Sequence, residues 1–105
     1  MVLGLSRPVW AAADAAALWK SRCAMCHGET GKGDGPAGLA LQPPPRDLTD
    51  PKFWVGVSRE RIKKAITEGR PGTAMVSFAN TLSPEEIDAL VDYLVTKFKP
   101  AAKEP

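Results

Sequence analysis

The chain has 105 residues, enough for one domain around a single hydrophobic core and too few for two. Hydrophobic residues make up 44% and charged residues 25%, an ordinary composition that argues against intrinsic disorder. No stretch approaches the roughly 18 apolar residues of a membrane-spanning helix. Fourteen Lys and Arg against 12 Asp and Glu give a net charge of +2, without the strong basic excess of a nucleic-acid-binding protein.

The N-terminal segment differs from the rest of the chain. Within Met1 to Trp10 the positive charge of Arg7 follows the apolar run, whereas a complete secretion signal has its charge first. Because Ala11-Ala12-Ala13 resembles a small-residue cleavage site, a signal remnant and an added extension both stay open. We divide the chain into an extension or signal remnant at residues 1–11, a domain at 12–99 and a flexible tail at 100–105.

The first predicted element is a helix from about Ala11 to Met25. This run is rich in alanine and free of Gly and Pro, which favours a helix. Residues 28–45 follow, with five glycines and four prolines. Such a composition predicts a long loop, and a loop of this length in a small domain usually carries function.

Two further helices are predicted in the second half of the chain. One begins at Ser58 and stops at Gly69, after which residues 72–81 form a second loop. The other has a clear start, because Ser83 is a good N-cap, Pro84 suits the first helical position and Glu86 completes a capping box. No segment shows strand alternation. The last helix ends before Pro100, and its apolar residues follow helical spacing: Ile87, Leu90, Val91, Leu94, Val95 and Phe98.

The most informative motif is Cys23-Ala24-Met25-Cys26-His27, which contains both cysteines and the only histidine of the chain. This CxxCH pattern is the signature of covalent haem attachment. His27 would donate Nε2 to iron, and its other nitrogen would need an acceptor such as a backbone carbonyl near Pro36. A thioredoxin-like dithiol requires a βαβ setting and a zinc site requires four ligands, and the sequence offers neither.

The second iron ligand has to come from another residue type, since a second histidine is absent. Met75 is the best-placed methionine, because it lies in a flexible loop between two helices. Met25 is tied to the attachment motif and Met1 lies at the terminus. The alternative for Met75 is a gap-filling core residue. A thioether ligand would raise the reduction potential of the iron.

Together these segments resemble class I cytochrome c over residues 12–98, in a form typical of bacterial members. The resemblance implies an all-α cytochrome c fold of three to four helices with long loops around one haem c, bound through Cys23 and Cys26. It also implies that the first and last helices cross, and that the Pro36 carbonyl orients His27. The residues implied at the helix crossing are Ala15, Trp19, Leu90 and Tyr93, and the segments that carry the likeness are Cys23–His27, Gly31–Pro36, Gly72–Met75 and Leu82–Leu94.

Charged and polar residues suggest further contacts. Arg46 and Trp54 are candidates for contacts with the haem propionates by position and chemistry, although arginine is also common as a solvated surface residue.

The charge is uneven along the chain. Residues 52–70 hold six basic residues against two acidic ones, and residues 82–98 hold four acidic residues against one lysine. This pattern fits either two solvated helix faces or a charge asymmetry that steers redox partners.

These expectations describe an electron carrier with His27 and Met75 as iron ligands and no catalytic residue. Its partners would be larger redox proteins, and we expect a monomer. Haem c is attached outside the bacterial cytoplasm, so the resemblance implies the periplasm. One alternative is a haem enzyme, or a gas- or peroxide-binding cytochrome, with a labile Met75, although the sequence shows only apolar neighbours beside that residue. Another alternative is the haem module of a larger complex.

Overall fold

The computed structural model describes residues 14–100, and within this range the regular structure is entirely helical. The predicted all-α class is therefore confirmed. The predicted extension at 1–11, the predicted helix start at Ala11 and the tail beyond Pro100 lie outside the described residues. The elements in chain order are α1 (Ala15–Leu18), a π-helical segment π1 (Trp19–Cys23), α2 (Ala24–His27), a 3₁₀ turn (Gly38–Ala40), α3 (Pro51–Trp54), α4 (Arg59–Glu68) and α5 (Pro84–Lys97).

The first helical region runs without a break through α1, π1 and α2, and reaches two residues beyond the predicted end. Within it the N–H of Ala24 donates to the carbonyl of Trp19, a π-type bond that the sequence pattern did not predict. Such segments are rare and are often found at functional sites. The region ends where Gly28 takes a φ of +82°, a conformation that glycine adopts at little cost. The CxxCH motif therefore occupies the last turns of the first helical region.

The ends of α4 and α5 agree with their sequence signals. The Ser58 side chain accepts from the N–H of Arg61, and Gly69 ends α4. The Ser83 hydroxyl accepts from the N–H of Glu86 at 3.0 Å, while the Glu86 carboxylate accepts from the N–H of Ser83 at 2.8 Å. Both bonds of the predicted capping box are present.

Helix α3 was not predicted from the sequence, although a local signal for it is present. The Asp50 side chain accepts from the N–H of Lys52 at 3.0 Å, and Pro51 occupies the first helical position. An aspartate N-cap followed by proline is a regular helix start. This short helix turns the chain so that Trp54 is buried and α4 can begin soon after it, at Arg59.

The core lies where the first helical region meets α5. The ring centroid of Trp19 lies 6.2 Å from that of Tyr93 and 5.1 Å from that of Phe98. Ala15 is buried, and Leu90 is fully inaccessible to solvent. The predicted contact between the first and last helices is confirmed. Because α4 also packs against α5, the three helices form a frame that supports the loops between them.

Candidate functional site

A cavity of about 370 Å³ is lined by the first helical region, residues 41–48, α4 and the loop before α5. This volume lies in the range of small-molecule and cofactor sites. Cys23, Cys26, His27 and Met75 all line the cavity, so the structure brings together residues that are up to 52 positions apart in the chain (75 − 23). Its interior is mostly apolar, with contributions from Leu48, Ile62, Ile66, Phe78, Leu90 and Leu94.

The cysteines and the histidine occupy one side of this cavity. Both thiols are free and partly buried, and burial raises the pKa of the Cys23 thiol to about 12. Burial also lowers the pKa of His27 below its ordinary value, which favours the neutral imidazole that binds metals. The His27 ring lies against Trp19 with a centroid distance of 5.6 Å. Two thiols and one neutral imidazole facing an apolar cavity are a donor set that fits haem c.

The glycine-rich loop after His27 folds back along α2. The N–H of Gly33 donates to the carbonyl of His27 at 2.7 Å, and that of Gly35 donates to the carbonyl of Cys26 at 3.1 Å. A Cβ atom on Gly35 would lie 2.3 Å from the carbonyl oxygen of Met25, so only glycine permits this close approach. The N–H groups of the loop thereby support the CxxCH motif by hydrogen bonds to the backbone carbonyls of the motif.

The predicted hydrogen bond between Pro36 and His27 is not formed in the structure. Nδ1 of His27 is buried and has no hydrogen-bond partner among residues 14–100. The N–H groups on either side of Pro36, those of Gly35 and Ala37, donate to the carbonyls of Cys26 and Met25. These bonds attach the loop to Cys26 and Met25, the two residues that precede His27 in the chain. The orientation of His27 by the Pro36 carbonyl stays a prediction.

Met75 approaches the cavity from a loop that is tied to the end of α4. The N–H of Arg70 donates to the Met75 carbonyl at 3.0 Å, and the N–H of Met75 donates to the Thr73 hydroxyl at 3.1 Å. Further along, the N–H of Phe78 donates to the carbonyl of Ile66 at 3.0 Å. These backbone bonds hold Met75 at the cavity wall, where its half-buried side chain packs against the core.

The two candidates for propionate binding have different positions. Arg46 lines the cavity, and its guanidinium carbon lies 5.1 Å from the ring centroid of Phe53, which is cation–π distance. Trp54 does not line the cavity. Its side chain is 6% exposed, and its indole N–H donates to the carbonyl of Leu48 at 2.8 Å. Since an indole has a single donor, this bond occupies it in the structure, and the propionate contact of Trp54 stays a prediction.

Three arginines at the cavity were not predicted from the sequence: Arg22, Arg61 and Arg70. A sequence signal exists for two of them. Arg22 directly precedes the first cysteine of the motif, and Arg61 lies four residues before Ala65 on the face of α4 that borders the cavity. Among residues 14–100, no aspartate or glutamate lines the cavity.

None of the helices formed by residues 14–100 is long and apolar enough to cross a membrane.

Comparisons with known proteins identify relatives of this chain. Residues 11–94 match the family Cytochrome C oxidase, cbb3-type, subunit III. The Cbb3-type cytochrome c oxidase subunit FixP of Azorhizobium caulinodans is 37% identical over 86 residues, which cover 82% of this chain and 27% of FixP. The chain therefore spans about a quarter of the length of this curated relative.

Solved structures of c-type cytochromes are also similar to this chain. The KustC0563 c-type cytochrome has a TM-score of 0.67 and 35% identity, and the match covers 83% of this chain and 99% of that one. The c-type cytochrome NirC has a TM-score of 0.66 and 28% identity, with 90% and 100% of the two chains covered. Both matches extend over nearly the whole of those chains, so the similarity concerns the fold as a whole.

Proposed function

We propose that this chain, which belongs to the family Cytochrome C oxidase, cbb3-type, subunit III, is a one-electron carrier in which His27 and Met75 would hold the haem iron. It is a class I cytochrome c domain with haem c attached through Cys23 and Cys26. The observation that carries this proposal is the single cavity lined by both residues. When bound, the haem supplies a reversible ferric–ferrous couple. If His27 and Met75 both hold the iron, no coordination position would be open to a substrate.

The side chains around the cavity support electron transfer in two ways. Met75 donates a thioether sulfur, which raises the reduction potential relative to a nitrogen or thiolate ligand. The apolar side chains that line the interior exclude water, and this lowers the local dielectric constant and also influences the potential. His27 and Met75 are both held by backbone bonds of their own segments, so little rearrangement should accompany a change of oxidation state.

The partners and the compartment follow from the proposed chemistry. The carrier exchanges electrons with larger redox proteins, and it works as a monomer in a bacterial periplasm, where haem c is attached. Support comes from the names of the relatives, which include an oxidase subunit and a c-type cytochrome. The match to about a quarter of FixP also favours a second candidate, in which the same domain is the haem module of a longer chain or complex.

An enzymatic role is the remaining alternative, and the structure gives it one supporting observation. Arg61 and Arg70 line the cavity with Met75, whereas the residues next to Met75 in the sequence are apolar. If Met75 were labile, these guanidinium groups would be among the polar groups available to a bound oxygen species, as would the Thr73 hydroxyl. The absence of a histidine or carboxylate on the cavity wall among residues 14–100, apart from His27 itself, leaves no conventional proton-transfer group.

The test is an optical and electrochemical comparison of wild-type protein with Met75→Ala. We expect wild-type protein to retain its haem after acid extraction, to be low-spin, and to show the weak long-wavelength sulfur-to-iron band when oxidised. Met75→Ala should keep the covalent haem, lose that band, bind carbon monoxide and have a lower potential. The matched control is Met25→Ala, which removes a 59% exposed methionine that does not line the cavity.

The outcomes separate the candidates. An unchanged potential and band in Met75→Ala would contradict the ligand assignment. Rapid carbon monoxide binding by untreated wild-type protein would favour the enzymatic alternative, because it requires an accessible coordination site.

A further inference from the structure

A row of aromatic rings leads from the cavity to the protein surface at α5. Trp19 lines the cavity, and its ring centroid lies 5.6 Å from that of His27 and 6.2 Å from that of Tyr93. Trp19 is only 3% exposed, whereas Tyr93 is half-buried. Tyr93 is also the only tyrosine of the chain. The row therefore begins beside His27 in the cavity and ends at a residue that solvent reaches.

The side chains in this row differ in how readily they lose an electron. Indole and phenol groups are oxidised far more easily than the benzene ring of phenylalanine. Phe98 packs against both of them, with its ring centroid 5.1 Å from that of Trp19 and 6.1 Å from that of Tyr93. Since electron tunnelling weakens steeply with distance, two short steps between neighbouring rings are faster than one long step from the cavity to the surface. Trp19 and Tyr93 are thus the pair suited to carry an electron, and Phe98 packs beside them without taking part.

The indole N–H of Trp19 favours transfer over trapping of the charge. This group is buried and has no hydrogen-bond partner among residues 14–100. An oxidised indole is stabilised when a neighbouring group accepts its proton, and the protein places no such group here. The oxidised ring of Trp19 therefore remains a strong oxidant, able to take an electron from Tyr93.

Trp54 has none of these features. Its N–H donates to the carbonyl of Leu48, and its side chain does not line the cavity. Its aromatic neighbour is Phe53, with a centroid distance of 5.1 Å, and that ring resists oxidation. Trp54 consequently has no comparable connection between the cavity and the tyrosine, which makes it a suitable control.

We propose that Trp19 and Tyr93 form an electron relay through which the domain reduces hydrogen peroxide to water with an electron drawn from its surface. This activity goes beyond the carrier function and requires only the haem c at the two cysteines. One peroxide takes up two electrons and two protons, its O–O bond breaks, and two water molecules form. Ferrous iron supplies one electron. Trp19 supplies the other and is restored by Tyr93, whose O–H bond breaks to leave a phenoxyl radical. The proton of that bond and one proton from solvent complete the water.

The relay directs an oxidising equivalent away from the residues around the cofactor. The thioether of Met75, at the cavity wall, is easily oxidised to the sulfoxide. Among residues 14–100 no carboxylate lines the cavity to transfer protons, so peroxide reduction is a slow side reaction. Its consequence is protective, because damage that would fall on Met75 is moved to Tyr93. A small reductant such as ascorbate restores the phenol by giving one electron and one proton.

The experiment treats the ferrous holoprotein with hydrogen peroxide and the spin trap 2-methyl-2-nitrosopropane, and locates the trapped radical by tandem mass spectrometry of peptides. The variants are Trp19→Phe and Tyr93→Phe, which keep an aromatic ring at each position. The matched control is Trp54→Phe, because Trp54 is also buried, at 6% exposed, but does not line the cavity. Every protein is also prepared with Met75→Ala, so that access of peroxide to the iron does not limit the reaction.

We expect the trapped radical on Tyr93 in the wild-type protein and in Trp54→Phe. Tyr93→Phe should carry it on Trp19, and Trp19→Phe should lose the adduct on Tyr93. In both relay variants the haem absorption should bleach sooner than in the wild-type protein, and Met75, where present, should become the sulfoxide sooner. The reason is that the oxidising equivalent then stays in the cavity.

Three results would overturn the relay. An adduct on Tyr93 that survives Trp19→Phe unchanged would show that Trp19 does not carry the electron. Oxidation of Trp54 or Met25 in place of Tyr93 would show that the electron takes another route. Failure to consume peroxide both with and without Met75 would remove the activity itself. Because Tyr93→Phe deletes only a hydroxyl group, its adduct still decides the question if Trp19→Phe proves too unstable to study.

Discussion

Replacement of Gly69 by alanine would test whether the junction between α4 and the Met75 loop positions the methionine. Gly69 has φ +77° and ψ −176°, a backbone region that is essentially restricted to glycine and costs other residues about 1–3 kcal/mol. An added Cβ would lie 2.7 Å from the Met75 carbonyl oxygen and 2.9 Å from the Ser77 nitrogen. Both are backbone atoms, so no side-chain rotation relieves the contact.

The expected cost has two parts. Backbone conformation contributes about 1–3 kcal/mol, and forced displacement of the loop contributes about 1–3 kcal/mol more. Gly72→Ala is the matched control, because Gly72 lies in the same loop at φ +81° but an added Cβ there would meet nothing within 4 Å. In the control, only the conformational cost should lower the free energy of unfolding. In Gly69→Ala both costs should lower it, by a large share of the roughly 5–15 kcal/mol that stabilises a typical domain.

Two measurements check this reasoning on the holoprotein. Denaturant titration gives the free energy of unfolding of each variant, and the long-wavelength band of the oxidised protein reports the proposed bond between Met75 and iron. We expect the band to weaken in Gly69→Ala and to persist in Gly72→Ala. Equal stability losses with an intact band in both variants would refute the argument that Gly69 positions the loop.

Two other predictions follow from the core and from one surface turn. Leu90 is fully buried, so Leu90→Ala should lower the free energy of unfolding by about 2–5 kcal/mol. The control Leu39→Ala, at a residue that is 75% exposed, should change that free energy by less than about 0.5 kcal/mol. Similar losses in the two variants would contradict the assigned core. Hydrogen bonds from the side chain and then the backbone N–H of Thr49 lower the pKa of Asp47 below 3.8. Their stabilising effect is present above that value and is lost as the pH falls through the folded-state pKa. Thr49→Val removes the hydroxyl and should raise the pKa of Asp47 in an NMR titration, and an unmoved pKa would show that the hydroxyl is not the cause.

Local sequence signals determined the helix ends and the identity of the cofactor chemistry. Ser83 with Glu86 predicted the start of α5, and Gly69 predicted the end of α4, because capping bonds and glycine conformations involve residues only a few positions apart. The CxxCH motif likewise depends on neighbouring residues. The sequence could therefore indicate haem c and an all-α fold without knowledge of any long-range contact.

Tertiary structure alone decided which distant residues share a surface. Trp54 has the chemistry of a propionate donor, yet its N–H is committed to the carbonyl of Leu48. Arg59 belongs to the same basic segment as Arg61, yet the first is paired with Asp92 while the second lines the cavity. Such differences arise because packing of α4 on α5 turns one side of the helix toward acidic residues and another toward the cavity. Residue types and spacing limit the chemistry available to each side chain, but the partner that each one meets depends on the packing of helices far apart in the chain.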